Sequence, residues 1–541
     1  MNQQSSIEEN KLSFLEARYK LIIDVRELVD IPMSSWAVAA TIESLGIRDI
    51  DANTDFGYDN VFELAEFVYE QIQLEINNED RSQSHDSYTH GFFKTIKLLL
   101  KYYTAGLVLS MPMLVQIVAI LVFEYALWAW LRFNEAQATV VAFGTISSFV
   151  ITGGFIQVIG RLVSKYKGEE NYYLARKAVY KILRLGIPTV LLFAIALFLI
   201  NLAFPFYPMR MMILSIIYML LISFLLLSAA ILFASELRFM ILFSITFGTI
   251  VVILLTKANI FGVYMAQWVG IFITTILMTG YAALYYQFKI QTLRQELLKQ
   301  TLPYDEVSYY NNYRYFLYGF FYFIFLFTDR ILAWSTGDIP PPYIIWFNTP
   351  YELGMDWALI SFVITIATLE FSINAFSQYL IPAQKNISLN KMKAFNKHFN
   401  RFYFRQLVLL LIISVVSILI TYFGVLSLRA FETQIPEIRD FFANPITFKV
   451  FWMGSIGYVF LVYGLLNSLF FFTLNRPTFV TYSMIVAVIV NFIVGFICSR
   501  LFGFEYATIG LLAGAFTFAL ITGIIAKKFF KHLDYYYYSA Y

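Results

Sequence analysis

Residues 313–336, YRYFLYGFFYFIFLFTDRILAWST, and residues 357–381, WALISFVITIATLEFSINAFSQYLI, decide the reading of this chain. Each is an apolar run longer than the ~20 residues an α-helix needs to cross a hydrocarbon core of roughly 30 Å. Each also carries ionisable groups where hydrocarbon is expected: Asp329 and Arg330 near the end of the first run, and Glu370 inside the second. Such a group costs about 2.5–3.5 kcal/mol at the centre of a membrane helix, so it calls for a partner or a task. Between the runs, Asp338-Ile339-Pro340-Pro341-Pro342 reads as an acidic turn. It is followed by the Tyr351-Glu352 pair and Asp356.

The same pattern extends over most of the 541 residues, of which 59% are hydrophobic and only 14% charged. About twelve spans are expected, near 103–131, 136–160, 185–205, 211–235, 239–256, 260–286, 313–336, 357–381, 405–428, 450–474, 478–502 and 506–526. Every second loop is basic. One set carries Arg161, Lys165, Lys167, Arg176, Lys177, Lys181 and Arg184, then Arg238, then Lys289, Arg294, Lys299 and Arg314, then Lys385 to Arg405. By the positive-inside rule this places both termini of a multi-pass membrane protein in the cytoplasm, and the polar start at Met1 argues against a cleaved signal peptide.

An all-α fold follows. Residues 1–95 read as a small cytoplasmic helical domain and linker, 96–290 as a six-helix lobe, 291–312 as a cytoplasmic inter-lobe linker, and 313–541 as a second six-helix lobe with a short tail. Spans one and two, like seven and eight, are followed by a long basic segment, which suggests two parallel repeats. In the first domain, helices are expected over 12–28, from Ser34 or Ser35 to Gly46, and over 61–76 after Asp59 or Asn60. The acids of 49–55 resemble a calcium loop, but Thr54 stands where glycine is needed and Asn60 where glutamate is needed. An acidic interhelical turn is therefore expected.

Helix rise assigns depths to the intramembrane charges. Counting from Tyr315 puts Asp329 roughly 21 Å into the bilayer, and counting from Asp356 puts Glu370 roughly 21 Å down from the other side. Arg330 and Glu370 then lie too far apart in depth to pair directly. By depth, the expected partners are Glu124 for Arg330 and Arg161 for Glu370. These groups either line a polar passage or lock neighbouring helices together. Pro112 removes a helix hydrogen bond and permits a kink, and Gly153-Gly154 permits close helix approach; either serves as hinge or as packing.

Enzyme signatures are lacking. There is no phosphate-binding loop and no Gly-x-Ser-x-Gly elbow, and one cysteine with four scattered histidines gives no metal-ligand spacing. No catalytic residue, metal or cofactor is expected, and a net charge of +3 does not argue for nucleic acid as a partner.

The chain from about residue 98 to Tyr538 resembles the PelG-type exopolysaccharide transporters of the multidrug/oligosaccharidyl-lipid/polysaccharide exporter superfamily. The likeness is carried by Tyr103-Thr104-Ala105-Gly106-Leu107 with Ser110 and Pro112, Ile151-Thr152-Gly153, and Arg161-Leu162-Val163-Ser164. It continues in Asp329-Arg330 with Trp334, Tyr351-Glu352, Glu370 and Leu533-Asp534-Tyr535. The resemblance implies export of a biofilm polysaccharide across the bacterial inner membrane, with a cytoplasmic glycosyltransferase and membrane accessory proteins as partners besides polymer and lipid. The Pel polymer contains amino sugars and is cationic, which would suit acids such as Asp329, Glu352, Asp356 and Glu370 along the route. The N-terminal helical domain is additional to the family pattern. Alternatives are an exporter of lipid-linked oligosaccharide or small molecules of the same superfamily, and a membrane-integrated glycan polymerase or ligase.

Overall fold

The computed structural model describes residues 2–29, 32, 34–78, 92–293, 298, 300–337, 342–386, 392–428 and 444–539. Most of the Pro-rich turn (338–341), most of the linker before the first span (79–91), and parts of two long loops (387–391 and 429–443) lie outside the described residues.

The N-terminal domain comprises α1 (Asn2–Val29), α2 (Ser35–Ser44), α3 (Asp49–Phe56) and α4 (Val61–Asn78). They close on a core of Leu21, Val25, Val38, Ile42, Leu64 and Val68. The acidic stretch at 49–55 is a helix instead of a turn. Asp51 accepts hydrogen bonds from Arg48 at the N-terminus of α3, Asp49 accepts from the Val61 amide at 2.8 Å, and Gly57 closes the helix in the left-handed region (φ 72°). Arg18 then takes the freed carbonyl of Phe56 at 2.8 Å.

Eleven helices among the described residues are long and apolar enough to cross a membrane, and a bent helix makes twelve. The first lobe holds α5 (Phe92–Phe123), α6 (Glu135–Gly168), α7 (Tyr172–Ala203), α8 (Met209–Ala234), α9 (Arg238–Lys257) and α10 (Val263–Gln291). The second holds α11 (Asp305–Trp334), α12 (Thr349–Asn386), α13 (Met392–Leu428), α14 (Pro445–Thr473), α15 (Pro477–Leu501) and α16 (Ala507–Lys531). A short α17 (Leu533–Tyr538) ends the fold.

Each lobe repeats the other's packing. Helix α6 packs on α7 and α8, α10 on α8 and α9, and α5 on α9; correspondingly α12 packs on α13 and α14, α16 on α14 and α15, and α11 on α15. Between lobes, α5 packs on α12 and α6 on α11, two crossings that exchange when the first two helices of one lobe are swapped with those of the other.

Span one ends earlier than hydropathy suggests. The run 125–131 is apolar enough to prolong it, but Glu124 turns the backbone left-handed (φ 70°), and Tyr125 stacks on Trp130 across a tight turn. Conversely, the basic segment after span two is helical except for the turn at 169–171. Helix α6 continues to Gly168, and Asn171 caps α7 by accepting from the Leu174 amide at 3.0 Å.

The N-terminal domain and the C-terminal tail meet on one face of the membrane, called the domain face below, the other being the far face. The Ser34 hydroxyl caps α2 by accepting from the Ala37 amide (3.1 Å) and donates to Asp534 at 2.5 Å. Asn396 donates to the other oxygen of Asp534, and Trp36 packs on His532 and Tyr535. Replacing Ser34 by alanine removes a cap and a charge-assisted bond together. It should cost about 1–2 kcal/mol of docking, seen as faster amide exchange across α2.

Candidate functional site

The largest concentration of buried charge lies where α11 ends and α12 begins. Arg330 and Trp334 stand one turn apart on α11, and Glu352 and Asp356 one turn apart on α12, so each pair shares a helix face. The faces meet. Arg330 donates through Nη1 to Glu352, both of its Nη atoms lie 3.3 Å from Asp356 Oδ1, and Trp334 Nε1 donates to the second Glu352 oxygen at 2.8 Å. One residue earlier on each helix, the Tyr351 hydroxyl donates to Asp329 at 2.8 Å and accepts from Thr508 of α16 at 3.2 Å. One guanidinium therefore serves two carboxylates, with a third beside it. Asp329 Oδ1 and Arg330 Nε find no partner among the described residues. The Arg330 and Glu352 side chains are 10% and 6% exposed, whereas that of Asp356 is 58% exposed and opens the cluster outward.

All these partners belong to the second lobe, so the cluster braces that lobe. Trp334 also lines a small apolar cavity of about 130 Å³ between the lobes, together with Phe143, Ile146, Phe193, Ile331 and Ile345.

Neither pairing expected from depth occurs. Glu124, sitting in the turn beyond α5, takes Arg132 at 2.7 Å and not Arg330. Arg161 is not Glu370's partner; it crosses to α11 and to the turn after α14. There it donates to the Asn311 carbonyl and, at 3.0 Å each, to Asn312 Oδ1 and Asn475 Oδ1, with its guanidinium 4.0 Å above the Tyr315 ring. Glu370 instead accepts from Arg238, the first residue of α9, at 2.5 Å. Arg238 also donates to the Ala105 carbonyl of α5 at 2.9 Å. In the sequence Arg238 is the lone basic residue of a very short turn, and its isolation there was the available signal.

Small residues sit at both inter-lobe crossings. A Cβ on Gly153 would lie 2.6 Å from the Gly319 carbonyl oxygen, one on Gly154 2.5 Å from Phe316 Cδ2, and one on Gly106 2.6 Å from the Ala367 oxygen. Helix α5 bends by 53° between Val108 and Ser110, where Pro112 deprives the Val108 carbonyl of its helical partner. At the far face the lobes are joined by the loop before α12. Ile345 O accepts from the Tyr207 hydroxyl (2.5 Å), Trp346 donates to Glu135 (2.8 Å), and the Phe347 amide donates to Thr139 (3.0 Å).

Comparison with known proteins matches residues 94–538 to the family described as "PelG: Putative exopolysaccharide Exporter (EPS-E)". No curated protein matches the sequence. Among solved structures, the eukaryotic MATE transporter AtDTX14 is similar at 14% identity and a TM-score of 0.55, over 82% of this chain and 98% of the other. A MATE transporter in complex with MaD5 is similar at 12% identity and a TM-score of 0.55, over 81% and 96% of the two chains. At such identities the likeness is one of fold alone.

Proposed function

Because the chain belongs to the PelG family of exopolysaccharide exporters, we propose that it moves a Pel-like, amino-sugar-containing polysaccharide across the bacterial inner membrane. The observation that supports this most is the join between the lobes: two glycine-bearing helix crossings and a few polar bridges between bodies that each have their own core. Such a join suits lobes that separate on one face at a time, or a path held open between them. Helices α1–α4 fall outside the family match and project from the domain face, which the density of basic residues argues is cytoplasmic.

In this reading Asp356 and Glu370, both partly exposed, stand along the route, while Asp329, Arg330 and Glu352 hold the second lobe in shape. The partners are a cytoplasmic glycosyltransferase, which makes the polymer, and membrane accessory proteins. Cells lacking the chain should stop secreting polymer while the glycosyltransferase stays active in their extracts. Loss of that activity in the purified synthase would instead mark this chain as part of the synthetic enzyme. A protein without residues 1–90 should insert normally yet recover less glycosyltransferase on affinity capture, and unchanged recovery would refute a docking role for α1–α4.

A further inference from the structure

The two lobes are fastened differently on their two faces. At the far face one loop lies across the first lobe. At the domain face, helix meets helix through two arginines of the first lobe, each at one crossing and each reaching into the second lobe, with a more exposed ion pair, Lys181 of α7 to Asp305 of α11 at 2.5 Å, beside them. Arg161 of α6 grips α11 and the turn after α14, and Arg238 grips Glu370 of α12. Arg238 further ties the Ala105 carbonyl, just before the bend in α5, to the same point. Gln378 reinforces this crossing by donating to the Tyr102 hydroxyl at 2.5 Å.

We propose that Arg161 and Arg238 form a paired clasp that shuts the inter-lobe route on the domain face, and that both must let go to admit polymer. The proposal rests on the reading of the chain as a two-lobe exporter. Three features separate a clasp from a static brace. Its partners lie across the lobe boundary, whereas those of Arg330 lie within one lobe. The side chains of Arg238 and Glu370 are 19% and 24% exposed, so water can replace each partner as the pair opens, while the Arg330–Glu352 pair is much drier. The acceptors of Arg161 are neutral amides and a backbone carbonyl, which lose little on returning to water compared with a buried carboxylate. Because α5 bends immediately beyond Ala105, release of Arg238 frees α5 and α12 together.

The test uses the full chain in lipid nanodiscs without polymer. Cys498, the only cysteine, is replaced by serine, and spin labels are placed at Glu169→Cys in the first lobe and Thr473→Cys in the second, both exposed on the domain face. The R161Q/R238Q variant should show a longer inter-label distance whose population rises about tenfold or more over the parent, the factor carried by losing one hydrogen bond to a charged group. The milder, near-isosteric E370Q should shift the same population in the same direction, which guards against misfolding of the double variant. Exchanging the charges, R238E with E370R, should restore the parent distribution. Unchanged distances in both R161Q/R238Q and E370Q, or a charge-exchanged protein that stays as open as E370Q, would overturn the clasp. Since the distances are read without polymer, failure here leaves the export reading intact, and failure of export in cells leaves the clasp intact.

Discussion

Arg330→Ala is expected to be the most damaging single substitution in the membrane domain, lowering stability by about 3–5 kcal/mol. Among the described residues the guanidinium is the only cation within reach of Glu352, whose carboxylate is buried and is otherwise held there by the Trp334 indole alone. Removing it strands a charge inside the lobe with no water to take its place. Thermal unfolding of detergent-purified protein would report the loss as a lower midpoint and a reduced yield of monodisperse protein. Arg330→Met combined with Glu352→Leu should recover much of it, because replacing both members of a buried pair removes the desolvation penalty along with the attraction. Asp356→Asn should cost no more than about 1 kcal/mol, since that side chain is mostly exposed. A wild-type midpoint for Arg330→Ala would show that Arg330 does not brace the lobe.

Gly153→Val is expected to abolish polymer secretion with only moderate loss of stability, about 1–3 kcal/mol. The added methyls meet the Gly319 backbone, which cannot rotate away, so α6 and α11 must separate. That separation strains the Arg161 contacts two turns further along α6. Gly160→Val on the same helix is the control: nothing lies within 4 Å of a Cβ there, so secretion should persist. Secretion at parental levels from Gly153→Val would mean that the lobes tolerate a wider crossing than this packing suggests.

The membrane architecture was legible in the sequence because its signals are local. Apolar runs of sufficient length gave the spans, and alternating basic loops put both termini on one face, where Ser34 and Asp534 touch. The unusual character of Asp329 and Arg330 was equally legible, since a charge in hydrocarbon needs no neighbour to be noticed. Their partners were not legible. Depth alone cannot choose a partner, because a side chain also needs the right helical rotation. Glu352 and Asp356 share a face one turn apart, and that face, more than their height, aims them at Arg330.

Glu124 was misplaced for a different reason. The apolar residues 125–131 continue the hydropathy of α5, and hydropathy does not register a left-handed backbone at one residue. Arg238 passed as an ordinary basic loop residue, because the positive-inside signal explains it without reference to Glu370. The acidic segment 49–55 became a helix because Asp49 and Asp51 fall in its first turn, where the helix dipole favours anions and Asp51 accepts from the Arg48 amide, and because Gly57 supplies a stop at its end.

The contact between Ser34 and Asp534 joins residues 500 positions apart. During synthesis, α1–α4 leave the ribosome before α5–α16, while α17 follows them. At roughly 5–20 residues per second, α2 waits about 25–100 s for the tail that completes its binding site. Throughout that interval Trp36 lacks the rings of His532 and Tyr535 that pack against it in the finished protein. Packing of the tail against that surface therefore reports that α16 has been made and has crossed in the right sense, since a tail left on the far face could never reach Ser34. A truncated or mis-threaded chain would leave the surface bare to proteases and chaperones.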